Sequence, residues 1–368
     1  MLSTERSSGE ILALTGLRGV AALYVLLFHA FRQSSPLAGF VLGKGYLSVD
    51  VFFVLSGFVM ALTYGRWFAA GPVKASSYVR FLGVRLARIY PLYIVMTLLC
   101  AMLGLAALVP LYGVPSLPIG LLWNSVLLQS LSFGAGNLDA VAWSLSTEWV
   151  AYLAFPVFAW WVLGGSLRRA WLAFGLAVVV LTGIALSSLS SLPGLRGDGP
   201  LGVFDTLTPM PVLRCFAGFV LGMVAYRAMD GSVARALASR PVYGDLLALA
   251  LGGLLFVHAG DVLFVILATA FILHLAVSSS FASKVLSLPG VHYLGQVSYS
   301  IYLIHFPLIL LLRSLSEQIG FHHLIVANSL AVVLTLIVAP LTYHAIELPG
   351  RNLVRSLIEP RRAHVPAG

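Results

Sequence analysis

Apolar runs of about 20 residues, the length that an α-helix needs to cross a bilayer, recur along the whole sequence. Of the 368 residues, 60% are hydrophobic and 10% are charged. Ordinary soluble domains contain roughly 45–50% apolar residues, so this composition excludes that class. Because lipid offers no hydrogen bonds, spanning segments must be helices or closed barrels, and a barrel would show alternating polarity. We therefore predict an all-α, polytopic transmembrane helical bundle.

Ten membrane spans and one ambiguous segment are predicted. The ambiguous segment covers residues 117–133 and is interrupted by Asn124 and Gln129. The ten spans cover residues 11–31, 47–64, 89–110, 141–163, 170–189, 211–226, 243–258, 262–277, 297–312 and 324–346.

The placement of basic residues decides how the ambiguous segment is interpreted, because cytoplasmic loops are enriched in Lys and Arg. If residues 117–133 do not cross, the side opposite to the termini carries only Arg32, Lys44, Arg196 and Arg313. We therefore expect that segment to be partial, re-entrant or interfacial, and both termini to be cytoplasmic. The same rule accounts for most of the formal net charge of +9 without a nucleic-acid partner.

Two ionisable residues interrupt the first span, "LRGVAALYVLLFHA". Arg18 and His29 are eleven residues apart, and at about 100° per residue this brings them within about 20° of one helical face. The helix rise separates them by about 16 Å, so a long, thin ligand would contact both. The alternative is that Arg18 snorkels to one interface while His29 lies near the headgroups of the other.

A carboxylate lies at the start of the second span, in "GYLSVDVFFVLSGFVM". Asp50 has the same predicted depth as His29, and a carboxylate in lipid needs a partner. Our hypothesis is that Asp50 hydrogen-bonds His29, since a carboxylate fixes the tautomer of an imidazole and stabilises its protonated form. The alternative is a contact with the helix N-terminus, where Ser48 and Asp50 stand.

Polar residues also gather at one end of the span that contains "VAWSLSTEWVAYLAFP". Ser144 and Glu148 are four residues apart and share a helical face, with Trp143 beside them. A buried glutamate among aromatic residues marks a cavity more often than a lipid-facing surface. The alternative is that this spacing only stabilises the helix start.

Two further motifs hold candidate binding residues. In "YVRFLGVRLARIYPLY", Arg85 and Arg88 are helical neighbours that suit phosphate groups, because guanidinium forks give paired hydrogen bonds. The alternative for these arginines is a topology signal or a lipid contact. In "GQVSYSIYLIHFP", Ser298, Tyr302 and His305 share one face, although an isolated buried histidine is usually structural.

Together these motifs resemble the acyltransferase-3 family of bacterial integral-membrane O-acyltransferases. The first-helix pattern of that family, an arginine, ten residues and a histidine, is matched by Arg18 and His29. Further blocks similar to the family's are "SVDVFFVLSGFVM", "RLARIYPLY", "AWSLSTEWVAYL", "VSYSIYLIHFP" and "IELPGR" with Glu347. The resemblance extends over nearly the whole chain, and we assign residues 1–350 to the membrane domain and 351–368 to a basic cytoplasmic tail.

The resemblance implies transfer of an acyl group, typically acetyl, from cytoplasmic acyl-CoA to a hydroxyl of a carbohydrate or other cell-envelope or secreted acceptor. It implies a location in the bacterial cytoplasmic (inner) membrane, with membrane lipid as a partner. Some relatives carry an additional extracytoplasmic hydrolase-like domain, which we do not expect in this chain. Acyl-CoA is a donor substrate, so no permanently bound cofactor is expected, and no metal-binding constellation stands out.

The same resemblance, with the helical faces, assigns hypothetical roles to ten residues. The histidine of the first span would either deprotonate the acceptor hydroxyl directly or first accept the acyl group itself. The catalytic residues would be His29, Asp50 and Glu148, the residues that bind acyl-CoA would be Arg18, Arg85 and Arg88, and the substrate path would be lined by Trp143, Ser144, Tyr302 and His305.

Two other functional classes fit the same composition. A transporter also uses buried ionisable residues and interrupted helices, but the inverted repeat of many transporters is not apparent in the sequence. A non-catalytic lipid-binding scaffold would need neither the shared face of Arg18 and His29 nor Asp50 at the same depth. We therefore favour the acyltransferase.

Overall fold

Each of the ten predicted spans forms a helix in the computed structural model, which describes residues 11–111, 113–132, 134–189, 199–204 and 207–358. Helices are the expected outcome because they satisfy the backbone hydrogen bonds of an apolar run internally. The ten helices are α1 (Leu12–Phe31), α2 (Leu47–Phe68), α3 (Ala75–Leu105), α4 (Trp143–Val162), α5 (Leu167–Leu189), α6 (Met210–Arg227), α7 (Val242–Leu254), α8 (Asp261–Val277), α9 (Ser298–Gln318) and α10 (Leu324–Thr342).

Short helical segments join these ten. They are Pro36–Leu42, Leu117–Ser125, Gln129–Leu131, Ala140–Ala142, Ser232–Ala238, Phe281–Leu286, Pro289–Gln296, Tyr343–Glu347 and Leu348–Ile358. The helix α6 lies at the centre of the bundle, in contact with α2, α4, α5 and α8, while α9 contacts α1 and α10.

Seven helical segments in the described part of the chain are long and apolar enough to cross a membrane. They comprise α1, α2 with the short helix before it, α3, α5, α6, α9 and α10 with the helical residues that follow it. The helix α7 has 13 residues and is therefore about 20 Å long, short of a hydrocarbon core about 30 Å thick. The all-helical, membrane-spanning class is confirmed, whereas the count of ten spans is not.

The ambiguous segment forms a nine-residue helix, Leu117–Ser125, and a short turn of 3₁₀-helix, Gln129–Leu131. A helix of that length covers about 14 Å and does not cross a bilayer. Its polar residues are structural: the Asn124 side chain donates to the carbonyls of Gly120 (2.9 Å) and Gly136 (3.1 Å). The prediction of a partial segment agrees with this geometry, although its last residue, Phe133, lies outside the described residues.

The predicted boundary at residue 350 falls inside a helix. The helix Leu348–Ile358 packs against α3, where a Cβ added at Gly83 would lie 2.7 Å from Cδ1 of Ile358. The first residues of the predicted tail are therefore helical and docked. Residues 359–368 of that tail lie outside the described residues.

The backbones of α2 and α6 approach closely at glycines. A Cβ added at Gly57 would lie 1.8 Å from the carbonyl oxygen of Phe219, and one added at Gly222 would lie 1.9 Å from that of Val54. Small residues allow such close approach between membrane helices, whose association rests on packing rather than on burial from water.

We expect Gly222→Val to separate α2 from α6 and to destabilise the fold by about 3 kcal/mol, the upper end of the usual cost of overpacking, because the clash is with backbone that cannot rotate away. The measurement is the thermal unfolding midpoint and the monodisperse yield in detergent. The matched control is Gly252→Val, since a Cβ at Gly252 meets no atom within 4 Å. Equal stability of the two variants would contradict the packing argument.

Candidate functional site

Six of the ten predicted site residues line one cavity of about 170 Å³ between α1, α2, α3, α4 and α9. Since about 10–15 Å³ of such space is enough to admit one water, the cavity is large enough for several water molecules or a small ligand group. Most of the polar lining lies on α1, α3, α4 and α9, while α2 supplies mostly apolar side chains such as Phe52. The six predicted residues are Arg18, Arg85, Arg88, Ser144, Glu148 and Tyr302.

Arg18 lines the cavity and makes no ion pair within the described part of the chain. Its Nη2 atom donates to Oγ of Ser298 at 3.2 Å, and Ser298 also lines the cavity. A guanidinium carries five N–H donors, so this single hydrogen bond leaves most of them for a ligand.

Arg85 is held by an aromatic ring. Its Nη2 atom donates to the hydroxyl of Tyr152 at 2.8 Å, and its guanidinium carbon lies 4.7 Å from the centre of the same ring. The Nε atom of Arg85 is buried and has no hydrogen-bond partner among the described residues. An unsatisfied buried N–H is costly, and a ligand oxygen in the cavity would satisfy it.

Arg88 forms an ion pair with Glu347, whose side chain is fully buried. The second carboxylate oxygen of Glu347 accepts a hydrogen bond from Ser300 at 2.8 Å. Glu347 was noted in the sequence only as part of the block "IELPGR" and was given no role. Its partner Arg88 is 259 residues away, so local spacing could not predict the pair. This pair fixes Arg88 in the cavity wall.

Glu148 belongs to a polar chain that continues to Arg85. Its carboxylate accepts hydrogen bonds from the hydroxyls of Ser56 and Tyr152, and Tyr152 in turn contacts Arg85. Sequence analysis missed Ser56 and Tyr152. Tyr152 follows Glu148 by four residues and lies on the same helical face, so that spacing was the available signal.

His29 and His305 do not line the cavity but contact each other beyond it. Nε2 of His305 lies 3.0 Å from Nδ1 of His29. Tyr302 lies between this pair and the cavity: its hydroxyl is 2.7 Å from Oγ of Ser144, and its ring centre is 5.8 Å from that of His305. The structure therefore joins two histidines that the sequence placed on separate spans, 276 residues apart.

The predicted hydrogen bond between Asp50 and His29 is wrong. Both carboxylate oxygens of Asp50 accept hydrogen bonds from Arg214 of α6, at 2.9 Å from Nε and 2.6 Å from Nη2. Both side chains are 1% exposed. A guanidinium is always charged and its fork matches a carboxylate, so it is a stronger partner than a neutral imidazole.

Trp143 was predicted to line the substrate path, but it is not among the residues that line the cavity. The Arg214 guanidinium carbon lies 5.7 Å from the centre of the Trp143 ring, close enough for a cation–π contact. Sequence analysis missed Arg214 altogether. Its signal was an arginine inside the predicted span 211–226, where a charged residue needs a partner.

Asp139, in the connection before α4, is another buried carboxylate that sequence analysis did not single out. One oxygen accepts from the Val141 N–H at 3.3 Å, and the other has no hydrogen-bond partner among the described residues. Burial raises the pKa of Asp139 to about 8, because desolvation disfavours the charged form. No group of three or more His, Cys, Asp or Glu side chains in the described ranges could hold a metal ion.

The arrangement combines two chemical capabilities. Guanidinium groups with available N–H donors can bind phosphate or carbonyl oxygens at the cavity, and an imidazole beyond Tyr302 can take up a proton or attack a carbonyl carbon. Arg18 and His29 lie on one helix, so α1 connects the two regions.

One family model and several known proteins match this chain. The model of the acyltransferase-3 family, described as an acyltransferase domain, matches residues 11–344. "Protein 2 in picA locus" of Rhizobium radiobacter is 33% identical over 193 residues, 47% of this chain and 93% of the relative. Acyltransferase MdmB of Streptomyces mycarofaciens is 29% identical over 63% of this chain and 62% of its own length.

A third relative matches most of this chain. O-acetyltransferase OatA of Staphylococcus aureus is 24% identical over 92% of this chain, which covers 57% of the relative's length. The chain thus spans about three fifths of the length of MdmB and OatA. No solved structure matches it significantly.

Proposed function

Since this chain belongs to the acyltransferase-3 family, we propose that it moves an acyl group from acyl-CoA to the hydroxyl of a carbohydrate or other cell-envelope or secreted acceptor. The proposed acyl group is acetyl, and the proposed location is the bacterial inner membrane with both termini in the cytoplasm. The name of the relative OatA, an O-acetyltransferase, supports the choice of acetyl. The basic residues near the ends of the helices support the orientation.

The observation that carries the proposal is the pair of available guanidinium donors in the cavity. Arg18 makes one hydrogen bond there, to the uncharged hydroxyl of Ser298. The Nε atom of Arg85 is buried and has no hydrogen-bond partner among the described residues. Phosphate and thioester oxygens of acyl-CoA are acceptors that would satisfy both groups. Arg88, neutralised by Glu347, would act by shaping the wall rather than by adding net charge.

The length of α1 supports a path for the donor. Arg18 and His29 are separated by about 16 Å along the helix axis, and a pantetheine arm is an extended, flexible chain that would run beside such a face. Tyr302 and Ser144 lie where the cavity approaches the histidine pair. In this proposal the thioester moves past these two hydroxyls towards His29.

The proposed reaction starts at an unprotonated nitrogen of His29. In direct transfer, His29 takes the proton of the acceptor hydroxyl while the oxygen attacks the thioester carbonyl; the C–S bond breaks and the leaving thiolate takes up the proton as CoA thiol. In the two-step course, a ring nitrogen of His29 attacks the carbonyl carbon, the C–S bond breaks and CoA leaves as a thiolate, with the acyl group on the imidazolium. The acceptor hydroxyl then attacks the acyl carbon, the C–N bond breaks, and the hydroxyl proton passes to the thiolate to give CoA thiol.

The test of the function is acetyl transfer by the purified full chain. The chain is placed in lipid nanodiscs with acetyl-CoA labelled in the acetyl group and an envelope-glycan extract, and both CoA thiol release and label in glycan are followed. Mass analysis of envelope glycans from cells with and without the gene identifies the acceptor. Binding of acetyl-CoA without consumption or label transfer would contradict the proposal.

We expect Arg18→Gln to weaken acetyl-CoA binding about 10- to 100-fold, because a hydrogen bond to a charged group contributes about 1.5–3 kcal/mol. The measurement is the Kd of acetyl-CoA for the purified variant. The matched control is Arg66→Gln, an exposed arginine at the end of α2, which should bind like the wild type. An unchanged Kd in Arg18→Gln would remove this residue from the donor site.

A further inference from the structure

We propose that His305 is the positioning residue for His29. Its neutral imidazole, and not the Asp50 carboxylate, is the hydrogen-bond partner that orients the His29 ring. His305 accepts the Nδ1–H of His29, a proton that it shares with the Val25 carbonyl, and the two acceptors together hold the His29 ring with Nε2 unprotonated. The inference rests on the proposed function for its chemical purpose. Its structural content, the proton positions in the two rings, does not depend on that function.

Two backbone carbonyls determine the tautomer of His305. Its Nδ1 atom lies 2.7 Å from the carbonyl oxygen of Tyr302 and 3.2 Å from that of Ile301. A carbonyl oxygen only accepts hydrogen bonds, so Nδ1 must carry a proton. In a neutral ring the other nitrogen, Nε2, is then unprotonated and is an acceptor.

A third carbonyl independently determines the tautomer of His29. Its Nδ1 atom lies 3.0 Å from the carbonyl oxygen of Val25, one helical turn earlier, and must also be the donor. The same Nδ1 atom lies 3.0 Å from Nε2 of His305. The two assignments agree, because a protonated nitrogen of one ring faces an unprotonated nitrogen of the other.

A doubly protonated His305 does not fit these contacts. Its Nε2–H would need an acceptor at Nδ1 of His29, and that lone pair would then point at the Val25 carbonyl oxygen 3.0 Å away. The neutral tautomer avoids this repulsion. The contact therefore places the basic lone pair of His29 on Nε2, which makes no hydrogen bond within the described part of the chain.

The surrounding rings restrict how far His29 can turn. The ring centres of Phe28 and Phe306 lie 4.8 Å and 4.9 Å from that of His29, both in edge-on contacts. With the hydrogen bond to His305, these contacts hold the imidazole in one orientation. Because the imidazole is already oriented before the substrate arrives, the reaction does not pay the entropy cost of ordering it. A positioning residue has this effect.

The direct test is the ¹⁵N NMR spectrum of the full chain labelled at histidine and held in lipid nanodiscs at neutral pH. Protonated and unprotonated ring nitrogens have well-separated shifts, and the spectra of His29→Gln and His305→Gln assign the two rings. We expect both rings to be neutral with the proton on Nδ1. A proton on Nε2 of His29, or a doubly protonated ring at His305, would overturn the inference.

The kinetic test compares two substitutions of similar size. His305→Leu removes the acceptor, and we expect kcat for acetyl transfer to fall about tenfold with the KM for acetyl-CoA unchanged. His305→Gln offers an amide oxygen that can accept the Nδ1–H, and should keep most of the wild-type kcat. Equal losses in both variants, or a loss confined to KM, would indicate a merely structural role.

The two tests separate this inference from the proposed function. If the wild-type chain transfers no acetyl group, the proposed function fails, while the NMR result still decides the proton positions. If transfer occurs and the NMR spectrum shows the other tautomer, the function stands and the positioning role of His305 fails.

Discussion

The Asp50→Ala chain is expected to be about 3–5 kcal/mol less stable than the wild type, because the change leaves the Arg214 guanidinium buried without its carboxylate. Arg214 would keep only its contacts with the carbonyls of Val203 (3.2 Å) and Tyr46 (3.1 Å). The measurement is reversible unfolding in mixed micelles, together with the thermal midpoint. Arg214→Ala should lower the stability by a similar amount, because it leaves the Asp50 carboxylate buried without its guanidinium partner.

The matched control replaces both charges at once. Asp50→Leu combined with Arg214→Met removes the pair without leaving a buried charge, and such replacements are often neutral or stabilising. We expect this double variant to recover both stability and acetyl transfer. Recovery of stability with no transfer would show that one of the two charges takes part in the chemistry, which would contradict the structural role assigned to the pair by its contacts.

The His29→Ala chain is expected to fold and insert like the wild type and to lose acetyl transfer by about 10²- to 10⁴-fold, the usual contribution of a positioned general base. Its acetyl-CoA affinity should stay unchanged, because Arg18 and Arg85 are untouched. The matched control is His322→Ala, an exposed histidine between α9 and α10. Full transfer by well-folded His29→Ala would exclude His29 as the base and as the acyl carrier.

A comparison of the wild type with His29→Ala also distinguishes direct transfer from the two-step course. Labelled acetyl-CoA is added without acceptor, the reaction is quenched, and the chain is digested and analysed by mass spectrometry. A label on the peptide that contains His29 in the wild type, absent from His29→Ala, would support an acyl-histidine intermediate. An unlabelled wild type that still transfers acetyl on addition of acceptor would support the direct course.

Local features of the sequence predicted much of the fold. All ten predicted spans lie on helices, because apolar length and hydrogen-bond satisfaction are local properties. The number of helices that cross the bilayer was not determined in this way: α7 and α8 are short, and the 20-residue α4 is also absent from the seven candidate spans. Asn124 and Gln129 made the segment 117–133 ambiguous, and the placement of basic residues predicted that it is partial; in the structure both side chains make buried hydrogen bonds.

The candidate site was predictable only in part. The helical period places Arg18 and His29 on one face, and Ser144 and Glu148 on another, without any knowledge of the neighbours. Six predicted residues do meet at one cavity. The partner of Asp50 was wrong because depth in the membrane does not tell which helix lies beside it, and Arg214 was closer and a stronger partner than the imidazole.

The helices, their faces and the residue types on each face follow from the order of amino acids along the chain. Which faces meet follows from the packing of the bundle, as in Asp50 with Arg214, Arg88 with Glu347, and His29 with His305. The difference arises because backbone periodicity acts over a few residues, whereas packing selects which helices become neighbours. A buried polar group then takes whichever partner that packing brings within hydrogen-bond distance.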